Sequence, residues 1–142
     1  MVSGKYRLET YLLFIRDFIN VCKSFKVHNF KKLKVWNKSR ILVSSIYEIV
    51  KSFPKSETFG LISQMKRCSI SIPSNIAEGC GKNSNKHFKI HIEVALGSSY
   101  ELETQMILSV DLKYIDEETF KDTLIKINEV SKMLIGLRNN YN

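Results

Sequence analysis

Apolar residues recur at every third or fourth position through most of this chain, and little interrupts them. Phe120, Leu124, Ile127, Val130, Leu134 and Leu137 fall on one stripe of a helix. Phe88, Ile92, Ala95, Ser99, Leu102 and Met106 make a second stripe, and Leu42, Ile46, Ile49, Val50 and Phe53 a third. Near the start, Tyr11, Phe14, Phe18, Cys22 and Phe25 keep the same spacing, widened by Ile15 and Ile19. Each stripe needs another surface to bury it. Two prolines and six glycines in 142 residues leave too few turns for a sandwich of short strands. The pattern predicts an all-α protein.

The helix boundaries follow from local signals. Residues 1–28 form an N-terminal extension, helical by its spacing. A second helix is expected from about Phe30 to Phe53, where Pro54 stops it, because the residue before a proline avoids the helical region. Ser56 is a fair N-cap for the third, with Glu57 in its first turn and Gly79 and Gly81 ending it in a left-handed cap. Ser84 or Asn85 caps the fourth, which runs to about Ile115. Asp116 caps the last, with Glu117 and Glu118 at its positive dipole end. Small residues around Ala95–Ser99, Gly97 and Ser98 among them, would let a neighbouring helix come close. Short connections imply antiparallel neighbours. The expected architecture is an antiparallel up-down four-helix bundle over residues 29–142, preceded by the extra N-terminal helix.

The run Ser71-Ile72-Pro73-Ser74-Asn75-Ile76-Ala77-Glu78-Gly79 breaks the pattern. Proline inside a helix loses a backbone donor and clashes with the carbonyl four residues back, here that of Ser69, at a cost of roughly 3 kcal/mol. A kink at Pro73 is expected. Ser71, Asn75 and Glu78 share one helix face, at i, i+4 and i+7. They form either a polar network bracing the kink or part of a ligand or nucleic-acid site.

The net charge of +8 is unevenly spread. Residues 1–82 carry 15 Lys/Arg against 5 Asp/Glu, whereas residues 83–142 carry 7 against 9. The basic half suits a polyanion. Lys31, Lys34 and Lys38 share a face at the start of the second helix, Lys32 and Arg40 lie nearby around Trp36, and Lys66 and Arg67 form a second basic pair. Lys31, Lys34, Lys38, Lys66 and Arg67 are the candidate nucleic-acid-binding residues, acting on phosphate. Trp36 follows Leu33 by three on one stripe, which points it to the core.

Catalytic chemistry finds little support. Gly79-Cys80-Gly81-Lys82-Asn83-Ser84 resembles a phosphate loop, but Ile76 stands where a glycine is needed and Asn83 where a hydroxyl is needed. His87 and His91 are four apart, a zinc-compatible spacing, yet no third ligand is fixed. Cys22, Cys68 and Cys80 are an odd set without C-x-x-C spacing, as expected of small buried residues in a reducing cytoplasm. The expectation is a cytoplasmic protein with no enzymatic activity, catalytic residue, metal or cofactor. No segment has the ~20 apolar residues of a membrane span.

Several pieces of the chain together resemble a bacterial family. They are Phe30-x-x-Leu33-x-x-Trp36, Phe59-Gly60-Leu61-x-x-Gln64-x-x-Arg67, the Ser71–Gly79 run, and Ala95-x-Gly97-Ser98 followed by Glu101-Leu102-Glu103. The chain from Phe30 onward is similar to the four-helix-bundle proteins encoded in intervening sequences of large-subunit ribosomal RNA genes, to which the accessory variability determinant of diversity-generating retroelements is related. Met1–His28 lies outside the resemblance. It implies a bundle that assembles into a homopentamer. It also implies a basic surface for nucleic acid, RNA or DNA, and in the retroelement case for a reverse transcriptase. Oligomeric nucleic-acid binding, of RNA or an RNA–protein complex, is therefore the expected function. A scaffold docking an acidic protein partner, or a reverse transcriptase, is the alternative.

Overall fold

The structure, a computed structural model, describes residues 29–141, so the expected N-terminal helix lies outside it. Four helices carry these residues: α1 (Lys34–Ile49), α2 (Leu61–Cys80), α3 (Asn85–Asp111) and α4 (Glu117–Asn139). No strand occurs among the described residues. Consecutive helices pack on each other and α4 closes onto α1, giving a four-helix bundle. Cross-helix pairs run in opposite directions along the chain: Arg67–Glu101 and Ser71–Ser98 between α2 and α3, Lys38–Glu129 and Ser45–Lys126 between α1 and α4. Those neighbours are antiparallel.

The three stripes meet in the centre. Leu42, Ile46, Ile92, Leu102, Met106, Ile127 and Leu134 are fully buried, with Met65, Ile72 and Ile76 of α2 between them. Fully burying one such side chain is worth about 1.5–3 kcal/mol. Ser99 and Ser131, buried between α3 and α4, pair their hydroxyls at 2.9 Å, so neither is left unsatisfied.

The helix ends differ from the expected ones in five places. α1 begins at Lys34 rather than Phe30, because Phe30–Lys32 form a 3-10 turn and Leu33 is extended (φ −75°, ψ 122°). The Asn37 amide holds that turn, donating to Lys31 O at 3.0 Å and Leu33 O at 3.2 Å. Val50–Ser52 form a second 3-10 turn, and Phe53 is extended (ψ 152°) as its following proline requires.

Ser56 is not the cap of α2. It lies in a 3-10 turn, Lys55–Glu57, and the helix starts four residues later behind Gly60. The Glu57 carboxylate takes the cap's role, accepting from Leu61 N at 2.9 Å. A Cβ on Gly60 would lie 2.5 Å from Glu57 Oε2, so a side chain there would displace the capping carboxylate.

Gly81 caps α2 in the right-handed region (φ −86°), not the left-handed one. Gly79 lies inside the helix, and its role is steric. A Cβ there would meet His91 Cβ at 2.9 Å and Phe88 Cδ2 at 3.3 Å on α3. Close approach therefore occurs at Gly79, whereas Gly97 points outward with nothing within 4 Å.

α3 stops at Asp111, short of Ile115. Its end is a Schellman turn with Lys113 in the left-handed region (φ 61°), Lys113 N donating to Val110 O and Tyr114 N to Ser109 O. Ser84 caps α3 through His87 N at 3.2 Å, and Asp116 caps α4 through Thr119 N at 2.7 Å. Pro73 sits half-buried inside α2, one turn after the buried Ser69.

Candidate nucleic-acid interface

The five candidate cations do not converge on one face. Lys38 pairs with Glu129 of α4 at 3.0 Å, and Arg67 with Glu101 of α3 at 2.6 Å. Each already has a carboxylate and brings little net charge to a phosphate. Lys31, Lys34 and Lys66 make no ion pair among the described residues. Lys31 and Lys34 are exposed at the start of α1, and Lys31 Nζ stands 5.9 Å from the Phe30 ring centre.

A better-defined surface lies along the α2-facing side of α1. Trp36, Arg40, Val43 and Tyr47 recur at i, i+4, i+7 and i+11, one helix face. The Arg40 guanidinium rests 4.9 Å from the Trp36 ring centre, and Lys66 reaches from α2 to place its ammonium 4.8 Å from that of Tyr47. Phe30 meets Trp36 edge-on at 5.0 Å. Trp36 is half-buried against the core, as its stripe suggested, while Tyr47 is 37% exposed. Neither Arg40 nor Lys66 has a carboxylate partner among the described residues. An aromatic face orients a cation by its quadrupole without cancelling the charge. Beside Arg40 is a recess of about 270 Å³ lined by Asn37, Arg40, Ile41 and Ser44. The Arg40 and Tyr47 pairings were readable only as spacing; what joined Tyr47 to Lys66 was the packing of α2 on α1.

Ser71 and Asn75 hydrogen-bond to each other and across to α3, while the hydrogen bond of Glu78 goes to Lys82. The Ser71 and Ser98 hydroxyls are 2.9 Å apart. The Asn75 amide donates to Ser71 O at 2.9 Å and to its Oγ at 3.1 Å, leaving Asn75 Oδ1 to face His91 Nδ1 at 3.2 Å. Asn75 Oδ1 can only accept, so His91 Nδ1 is the donor of this pair. Glu78 then lies 3.8 Å from His91 Nε2 and 3.3 Å from Lys82 Nζ. The sequence reading missed His91 as a member, because its partner is 16 residues away. His87, its zinc-spaced neighbour, is exposed and contributes its backbone to the Ser84 cap.

Cys68 and Cys80 are buried and unbridged. Burial pushes the Cys68 thiol up to about 11 and raises that of Cys80. Both are held in the protonated form, unsuited to nucleophilic attack. No group of three or more His, Cys, Asp or Glu is gathered among the described residues. No described helix is long and apolar enough to cross a membrane.

The model of the 23S rRNA-intervening sequence protein family matches residues 31–136. The chain belongs to that family. A solved protein of unknown function from the S23 ribosomal protein family, from Bacteroides thetaiotaomicron VPI-5482, has the same fold, with a TM-score of 0.69 and 26% identity. The match covers 73% of this chain and 97% of that one. No curated protein matches the chain. The 23S rRNA-intervening sequence match begins beside Phe30 and takes in all four helices up to Gly136.

Proposed function

We propose that this protein is a non-enzymatic, oligomeric nucleic-acid-binding protein of the cytoplasm, acting through the basic surface of α1 and its entry turn. The carrying observation is that Lys31, Lys34, Arg40 and Lys66 hold their charge without a carboxylate partner among the described residues. The 23S rRNA-intervening sequence description makes RNA the first polyanion to test. Binding to labelled RNA over a salt series tests the reading. The slope of log K against log salt should be steep, and each phosphate contact removed should flatten it by about 0.7–0.9. Lys31→Gln with Lys34→Gln should flatten it by roughly two such steps. Lys38→Gln should change it little, since Glu129 already neutralises Lys38. A parent protein that bound no RNA at low salt would overturn the proposal in favour of an acidic protein partner, a reverse transcriptase among them.

The oligomer, a homopentamer in this reading, has its own support. α3 is apolar on its outer side as well as its inner one: Ile90, Val94 and Leu108 are 45%, 47% and 45% exposed. They lie on the same face as the open Gly97, so another backbone can come close. An exposed apolar row of this kind, flanked by Glu93 and Glu101, suits contact with a second copy.

A further inference from the structure

We infer that the α1–α2 strip is a site for unpaired nucleic acid, in which Tyr47 and the Trp36-backed Arg40 guanidinium stack bases while Lys66 grips phosphate. The inference rests on the nucleic-acid reading above and narrows its substrate class. Three observations carry it.

The first is geometric. Trp36 and Tyr47 are 11 positions apart on one helix face, about 16 Å at ~1.5 Å per residue, so the strip is long enough for several consecutive nucleotides. The second is electrostatic. Arg40 and Lys66 lie over aromatic rings at 4.9 and 4.8 Å, so they are held near the surface with their charge uncancelled. Lys38 and Arg67, tied to Glu129 and Glu101, are not available in this way. The third is what the rings offer. A duplex presents phosphates and keeps its bases stacked inside, so it can use the cations but not the rings. An unpaired base can use both, stacking on an aromatic ring or on a guanidinium plane. At Tyr47, a base takes the position over the ring that Lys66 occupies, and the lysine stem swings its ammonium to the adjoining phosphate. At Arg40, the base stacks on a guanidinium already backed by Trp36. The recess beside Arg40, lined by Asn37, Ile41 and Ser44, gives a base next to that guanidinium room to turn its edge toward Asn37 and Ser44.

Trp36 is the only tryptophan in the chain, so it reports on its own site. The full chain is titrated with a labelled 20-nucleotide polyuridylate and with a 20-base-pair RNA duplex at one salt concentration. Anisotropy and Trp36 emission are read together. The expected result is at least tenfold tighter binding of the single strand, with a change in Trp36 emission that the duplex does not produce. Tyr47→Leu keeps the apolar stem and removes the platform. It should weaken the single strand about tenfold, the lower part of the range for one lost base stack, and weaken the duplex by much less, since the duplex loses only the ring that positions Lys66. Lys66→Met should weaken both. Circular dichroism confirms that each variant is folded. Equal affinity for the two ligands with Trp36 emission unmoved would overturn the stacking inference and leave the nucleic-acid reading intact. Failure of both to bind would overturn that reading and the inference with it.

Discussion

Single residues divide here by what stands opposite them rather than by what they are. Gly79 and Gly136 are both helical glycines, yet only Gly79 has a neighbour in the way. Exchanging a helical glycine for alanine gains about 0.5–1 kcal/mol from backbone entropy. At Gly136 a Cβ meets nothing within 4 Å, so Gly136→Ala should stabilise by that amount in denaturant unfolding. At Gly79 the new carbon would lie 2.9 Å from His91 Cβ, an atom fixed to the α3 backbone rather than the end of a flexible chain. Overpacking of this kind costs about 1–3 kcal/mol, which exceeds the entropic gain, so Gly79→Ala should destabilise. Equal effects at the two sites would show that α2 and α3 can part freely at Gly79. The same contrast explains the lysines: Lys38 and Lys66 read alike in sequence, but one faces Glu129 and the other Tyr47.

The elements are where sequence reasoning was strongest in their interiors and weakest at their ends. The stripes of α3 and α4 were legible because burial repeats with the helical period, and Phe88, Ile92 and Leu102, then Ile127, Val130 and Leu134, are all buried. Ser84 and Asp116 were legible as caps because each acts on a donor three residues away. Ser56 misled because Glu57, reaching past a 3-10 turn, competes for the first donor of α2. That carboxylate also accepts from the Tyr114 hydroxyl at 2.9 Å, tying the α1–α2 connection to the α3–α4 connection. The Leu61 amide, and then Tyr114, hold the Glu57 pKa below its usual value. A lowered carboxylate pKa contributes stability that is present above the unfolded value, 4.5, and is lost as pH falls through the folded one. Glu57→Gln should therefore be less acid-sensitive than the parent between pH 5 and the acid limb, read as the midpoint of urea unfolding against pH. Lys113, left-handed at the end of α3, gives the opposite kind of handle. That conformation costs an L-residue about 1–2 kcal/mol, so Lys113→Gly should raise stability by roughly 1 kcal/mol. Pro73→Ala should leave the bundle folded, since it restores a helical donor inside α2. If the proline bends α2, the variant will change assembly or binding; if neither changes, the proline is incidental.

At the scale of the whole molecule, the two halves of the sequence become two surfaces of different chemistry. The basic half supplies α1 and α2, whose seam carries Arg40 over Trp36 and Lys66 over Tyr47. The other half supplies α3, whose outer side carries Ile90, Val94 and Leu108 together with Glu93 and Glu101. Charge asymmetry was legible in the sequence, but the site was not, because the partner of each cation is set by helix packing. Contacts between copies through α3 would leave the α1 strip open and repeat it around the assembly. Several weak sites on one particle then act on one polyanion, and linkage of this kind raises affinity by about 10²–10⁴ without any new contact. This makes assembly and binding separable by mutation. Val94→Glu with Leu108→Glu places two charges on the apolar face of α3 and touches nothing in the α1 strip. Both side chains are already about half exposed, so the cost to the fold should stay within about 0.5 kcal/mol per site. Light scattering should find the parent oligomeric at micromolar concentration and the double variant monomeric. The variant should still bind a short oligonucleotide with the parent's per-site affinity, and should lose its advantage on a long RNA by one to several orders of magnitude. A variant that stays oligomeric would move the contact between copies away from α3. A variant that becomes monomeric yet binds long RNA as well as the parent would show that one α1 strip is sufficient.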